Sequence, residues 1–282
     1  MATTTHNFFT SVADMSAKVF QPLKINNRNK IDRATGGYRG ADWYGIDGGV
    51  EAVKRTVGKT HEPMEKLMRE FHAKLAAKIP RAVGVQRGIV RGMSGDALDY
   101  HAMLRGNHDK AWISSQRKLK RGHGIIRLTV DIGANCGTSS DVLQWRGVAG
   151  VSLAETLNKA GYSVEIVAGF AIKNHIVESY DDICTVCTVV KPRTAAINYG
   201  VLSSTIGLPG FFRLHGFYAL AHDANNRDRT IENNFGNSVA LASVLPVPEK
   251  VTQFIVPQDV TNEASAAKWV RETIELLKTI GE

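Results

Sequence analysis

The chain of 282 residues predicts an α/β fold built on a largely parallel sheet, and three observations carry that prediction. From Gly124 onward, short β-branched apolar runs alternate with stretches long enough to be crossover helices, the pattern of strands laid side by side with helices between them. Hydrophobic residues make up 43% of the chain and charged residues 22%, ordinary globular usage that excludes collagen-like, mucin-like and wholly disordered classes. The charge is divided unevenly: residues 1–125 hold 22 Lys/Arg against 11 Asp/Glu and residues 126–282 hold 13 against 16, so a part of +11 adjoins a part of −3. The expected architecture is a three-layer, Rossmann-type sheet over residues 124–282, with residues 1–123 as a basic, partly helical N-terminal region packed on it.

Residues 1–45 mix small and polar side chains with Asn, Arg and Gly, and read as loop or arm. After Pro63, the residues Met64, Leu67, Met68, Phe71, Leu75 and Ile79 recur at spacings of three and four, an amphipathic helix with the proline near its start. Residues 81–93 set three Gly and three Arg among alternating apolar residues, which suggests a twisted strand or hairpin. Residues 95–122 read as helical turns closing on a basic cluster. IIRLTVDIG then predicts a strand, Ser139 to Ala160 a long helix ended by Gly161, YSVEIVAGFAI and DDICTVCTVVKP two further strands, and residues 194–222 helical segments interrupted at Gly207–Gly210. VTQFIVP is a late strand, and Ala267, Val270, Ile274 and Leu277 mark a final amphipathic helix.

VDIGANCG, Val130 to Gly137, is the most informative segment. A strand ending in Asp, followed by Gly, amide and small residues and a helix, brings polar groups to the carboxyl edge of a sheet, where open α/β folds bind ligands. The turn resembles the D-x-G-A-N-x-G turn of class I methyltransferases, which implies S-adenosylmethionine, but there the next strand ends in an acidic residue for the ribose. In this sequence Glu165 lies inside that strand, which ends in Ala168-Gly169-Phe170. The order of Asp-ending strand, polar loop, long helix ending in Ala160-Gly161-Tyr162, VEIVAGF strand, FIVP and closing helix is similar to a von Willebrand factor A (VWA) domain over residues 124–282. That family carries an Asp-x-Ser-x-Ser metal-ion-dependent adhesion site, and the matching positions here are Asp131, Gly133 and Asn135. Gly133 has no side-chain oxygen, so the resemblance implies at most a degenerate divalent-cation site of Asp131, Asn135, Ser139 and Ser140. The same residues also read as a turn that caps the long helix.

Trp43 and Gly45 of DWYG, with Gly95 to Trp112 (GDALDYHAMLRGNHDKAW), resemble bacteriophage-encoded proteins that carry VWA-like domains. The resemblance implies no named enzymatic activity, and a sequence without a catalytic motif, an apolar span or a secretory layout is expected to be a non-enzymatic protein of the host-cell cytoplasm. The basic half, with aromatics interleaved, points to a polyanionic partner: Lys and Arg release counterions from a phosphate backbone, and rings stack on unpaired bases. Arg117, Lys118, Lys120 and Arg121, supported by Arg87 and Arg91, are the expected phosphate contacts, with Trp43 and Tyr38 as stacking residues. The function expected is single-stranded DNA binding, or binding of another nucleic acid, by an accessory factor in phage transcription or replication. The alternative is a VWA-type adaptor recruiting a protein such as RNA polymerase or an AAA+ ATPase; a methyltransferase is the remaining alternative.

Cys136, Cys184 and Cys187 are an odd number in a long chain, which fits reduced thiols. Cys184 and Cys187, three apart in a strand, face opposite ways and read as two buried thiols. The nine histidines show no zinc-ligand spacing and read as surface or turn residues. No nucleophile elbow or phosphate-binding P-loop occurs, no cofactor is expected, and no run of about 18 apolar residues suggests a membrane partner.

Overall fold

The structure, a computed structural model, describes residues 4–36, 40–76, 87–92, 97–117, 124–135, 137–177, 182–233, 235–246 and 251–280. The segment expected to be a loop or arm is ordered into elements: strand β1 (Thr4–Phe9), helix α1 (Val12–Val19), helix α2 (Ile25–Thr35) and the single turn α3 (Ala41–Tyr44). Ser11 caps α1 by accepting a hydrogen bond from the Asp14 N–H, and Asp14 returns the contact through the Thr10 N–H. Helix α4 (Gly49–Thr56) and helix α5 (Glu62–Ala76) follow, and Met64, Met68, Phe71 and Leu75 form the buried stripe that the three-and-four spacing predicts.

Between α5 and residue 124 the described chain makes a separate antiparallel sheet. It contains β2 (Arg87–Gly92), β3 (Ala97–Leu98), the short helix α6 (Tyr100–Leu104) and β4 (Trp112–Arg117), in the order β2-β4-β3. β4 corrects the expectation of helical turns there. WISSQR carries no helical period, and its backbone is satisfied by pairing with β2 and β3 on either side.

The principal sheet is built from β1, β5 (Ile125–Asp131), β6 (Ser163–Lys173), β7 (Ile183–Lys191), β8 (Asn237–Val239) and β9 (Thr252–Val256). Its order is β1-β7-β6-β5-β9, with β8 paired to the far end of β6. β5 runs parallel to β6 and β9, and β1 parallel to β7. β7 is antiparallel to β6, because the nine residues between Lys173 and Ile183 are too few for a crossover connection. The sheet is therefore mixed, with parallel pairings in the majority.

Helix α7 (Ser140–Lys159) joins β5 to β6 and buries Leu143, Leu153 and Leu157, as its apolar face predicts; Gly161, at φ 99°, ends it. Helix α8 (Tyr199–Thr205) is followed by one long helical stretch made of α9 (Pro209–Phe211), a π-helical turn (Phe212–Gly216) and α10 (Phe217–Asn226). Helix α11 (Glu263–Ile280) closes the fold against α7. One core unites Ile126, Leu128 and Val130 of β5, Ile166, Ala168 and Phe170 of β6, and Cys184 and Val186 of β7 with apolar residues of α1, α2, α5, α7, α8, α10 and α11.

These strand positions share one parity, so the helices gather on one face. The opposite parity, Val167, Cys187 and Val189, is covered among the described residues by Leu245 and by the turn at Leu241, not by helices. That corrects the expected third helical layer. Phe9, Met15, Val19, Ile31, Met64, Met68 and Phe71 belong to the same core as β5 and β6. Position 123/124 therefore marks a change of charge rather than a division of the core.

Candidate nucleic-acid interface

The β2-β4-β3 sheet brings together part of the basic cluster that the sequence singles out. Antiparallel register sets Arg87 opposite Arg117 and Arg91 opposite Ile113. Lys118, Lys120, Arg121 and Tyr38 lie outside the described residues. Asp99 caps α6 by accepting from the Ala102 N–H at 3.1 Å, and its own N–H donates to Ala111, so the turn between β3 and β4 is held at both ends. On that turn Tyr100 is 70% exposed and Leu104 83%, with Met103 and, at the start of β4, Trp112 (38%) also open to solvent. Of the seven large hydrophobic side chains exposed among the described residues, four belong to this segment. Nothing in the sequence sets Tyr100 and Trp112 apart from core aromatics; their exposure is seen only in the fold.

Trp43 is elsewhere. It sits half-buried on α3 with the Arg213 guanidinium 4.0 Å from its ring centre, and Arg213 also donates to the carbonyls of Trp43 and Thr138. One face of the indole is thus already stacked.

At the carboxyl edge of the principal sheet, Asp131 is buried and its carboxylate accepts three hydrogen bonds. Oδ1 takes the Gly133 N–H at 3.0 Å, and Oδ2 takes the Leu241 N–H and the Gln258 amide, both at 3.1 Å. Burial pushes this carboxyl above its ordinary value, against the pull of those donors and of Arg146. Arg146, buried on α7, donates to the carbonyls of Asp131, Gly133 and Gln258, and so ties the loop after β5 to the loop after β9. Asn135 Oδ1 accepts from the Ser238 N–H at 3.4 Å, so Asp131 and Asn135 both engage the segment from β8 to Leu241. Ser139 caps α7 by position without a side-chain hydrogen bond, and Ser140 is buried in its first turn. These residues do not fit a divalent cation. The Asp131 oxygens are spent on N–H donors, and a guanidinium charge already stands beside them. Glu165 is ion-paired to Arg127 at 2.7 Å across β5 and β6, inside the sheet and away from the strand end that a ribose would need.

The structure also assembles a buried cluster for which the sequence has no motif. His175 Nε2 lies 2.9 Å from Asp223 Oδ2, Arg227 pairs with the same oxygen at 3.1 Å, and Asn7 of β1 donates to Asp223 Oδ1 (3.2 Å) and to Cys184 Sγ (3.3 Å). Ligand atoms of His175, Cys184 and Asp223 come within 4.8 Å of one another. Burial alone would raise the Asp223 carboxyl, but the bonds from His175 and Asn7 and the charge of Arg227 outweigh it and hold the group below its ordinary value. Arg227 supplies the positive charge that a metal would otherwise bring, so the cluster reads as a polar knot joining β1, β7 and α10. Burial pushes the Cys184 thiol far up and the Cys187 thiol to about 12, on opposite faces of β7 as the spacing predicts, so neither is ionised for nucleophilic work. His175, His215 and His72 are buried, which corrects the reading of the histidines as surface or turn residues.

No described helix is long and apolar enough to cross a membrane. A family model described as a domain of unknown function, DUF7192, matches residues 2–281. No curated protein and no solved structure matches the chain.

Proposed function

We propose, for a chain that belongs to the DUF7192 family of domains of unknown function, a nucleic-acid-binding role exercised through the β2-β4-β3 sheet and its flanking basic residues. One observation carries the reading. Residues 81–121 hold nine Lys/Arg against three Asp/Glu, +6 of the chain's +8, and the same stretch exposes Tyr100, Met103, Leu104 and Trp112. Charge of this density supplies affinity without base reading, and exposed rings beside it are what an unpaired base stacks on. Single-stranded DNA is the preferred ligand for that reason. A role as an accessory factor in phage transcription or replication, with RNA polymerase as a partner, rests on the sequence resemblance.

The parallel β6-β5-β9 core, Asp131 at its carboxyl edge, α7 behind it and the closing α11 support a VWA-like assignment of the principal sheet. In that assignment the acidic remainder is the adaptor surface, and it is compatible with nucleic acid held on the basic sheet.

Fluorescence anisotropy of labelled single-stranded DNA, duplex DNA and RNA at about 50 and 200 mM salt tests the proposal. Binding should fall steeply with salt. Arg87, Arg91 and Arg117 changed together to Gln should flatten the slope by about 2 for a single strand, at roughly 0.7 per phosphate contact. Trp112→Ala should cost about 1–3 kcal/mol on single strands with little dependence on their sequence. No binding by micromolar protein at about 50 mM salt defeats the proposal.

A further inference from the structure

A cleft that shares no residue with the basic sheet lies between α1, α2, α4 and the π-helical turn. It has a volume of about 750 Å³, within the range of small-molecule sites. Its wall has two characters. Phe20, Pro22, Leu23 and Val57 are apolar, and Tyr218 stands edge-on to Phe20 at 4.8 Å. Arg28 and Lys54 bring two cations to the rim against one carboxylate, Asp32. Among the described residues each cation's ion pair is a surface one on its own helix: Arg28 to Asp32 at 3.7 Å, and Lys54 to Glu51 at 3.0 Å. Exposed pairs of this kind are worth little, so both cations can turn to a ligand at small cost.

The inner wall holds His215, 3% exposed, with Nε2 3.2 Å from Ser16 Oγ and with Nδ1 lacking any hydrogen-bond partner among the described residues. That nitrogen is itself buried, so His215 serves the cleft as an aromatic wall residue. The backbone around it departs from the α-helix at Phe212–Gly216, and such π-turns recur at functional sites. Phe20 meets the imidazole edge-on at 4.9 Å and Phe211 lies tilted to it at 5.0 Å.

We propose that this cleft binds a small organic anion with an aromatic or heteroaromatic body, its carboxylate or phosphate taken by Arg28 and Lys54 and its body seated against Phe20, Tyr218 and His215. The cleft shares no residue with the β2-β4-β3 sheet, so its occupancy is independent of nucleic-acid binding. Burial and the nearby Lys54 hold His215 neutral at physiological pH, so the inner wall presents an uncharged ring beside the two rim cations.

The test uses the full chain with histidine labelled in 15N, titrated separately with phenyl phosphate, benzoate, inorganic phosphate and phenol to about 10 mM while the ring nitrogens are followed by NMR. Phenyl phosphate or benzoate, whichever anion the site selects, should move the His215 resonances saturably, at least about tenfold more tightly than either inorganic phosphate or phenol. Arg28→Ala with Lys54→Ala should weaken that probe by at least about tenfold without lowering the thermal midpoint by more than a few degrees. Two results overturn the proposal: His215 unmoved by both aromatic anions, or binding that the double variant retains. Lys66→Ala with Lys268→Ala, which removes two exposed cations outside the cleft, is the control: it should preserve binding within a few-fold.

Discussion

His215 offers the sharpest check on how the helical layer is built, because its environment converts directly into a dependence of stability on pH. Burial, assisted by the charge of Lys54, lowers its pKa from the ordinary 6.5 to about 4. The folded protein therefore resists the proton that the unfolded chain accepts first, so this residue's contribution is fully present above pH 6.5 and is lost as the pH falls toward 4. At about 1.36 kcal/mol per unit the complete loss is about 3 kcal/mol, most of it gone by pH ~4.5. His215→Gln removes the titration and keeps an amide able to meet Ser16. Urea unfolding of both proteins from pH ~7.5 to ~4.5 should show the wild type losing about 2–3 kcal/mol more than the variant. Burial also lowers His61 and His72, but these are common to both proteins and cancel in the difference. A stability difference between the two proteins that stays constant across the range would mean that His215 titrates as a solvated group, and the account of the cleft wall would be wrong.

Arg146→Ala should destabilise the fold by about 3 kcal/mol or more, because the buried carbonyls of Asp131, Gly133 and Gln258 lose their shared donor; a thermal midpoint unchanged within about 2 °C would refute that role. Gly147→Ala should destabilise by about 1–3 kcal/mol in denaturant titration, since a Cβ there would stand 2.3 Å from the Ile206 carbonyl oxygen. Helix propensity alone predicts the opposite sign, a gain of about 1 kcal/mol, so a stabilised variant would show that α7 does not approach the α8–α9 corner this closely.

What could be read in advance divides along sequence distance. β5, α7, β6, β7, β9 and α11 announce themselves because burial on one or both faces forces long apolar or periodic runs. β1 could not be found that way: TTHNFF becomes a strand only because Ile183–Thr188 offers an unpaired edge. β4 was obscured for a related reason, its polar WISSQR being held by neighbours on both sides rather than by its own composition. At the carboxyl edge, the turn around Asp131 is legible in VDIGANCG, while its partner Gln258 lies 127 residues away and has no spacing signature. Ser16 and His215 are 199 residues apart, so no local pattern could join them. Charge behaved otherwise, because a net excess needs no register to be seen, and it pointed to the β2-β4-β3 sheet.

The pairing of β1 with β7 also sets a timetable for synthesis. His6 meets Thr185 across 179 residues, so on a ribosome adding about 5–20 residues per second the first strand waits roughly 10 to 35 s for its partner to be made. During that interval Phe9, Met15 and Val19, all buried in the finished molecule, have no β7 to cover them. Until β7 is made these apolar side chains lack that cover, and the seams that β9 and α11 make with β5 and α7 close later still.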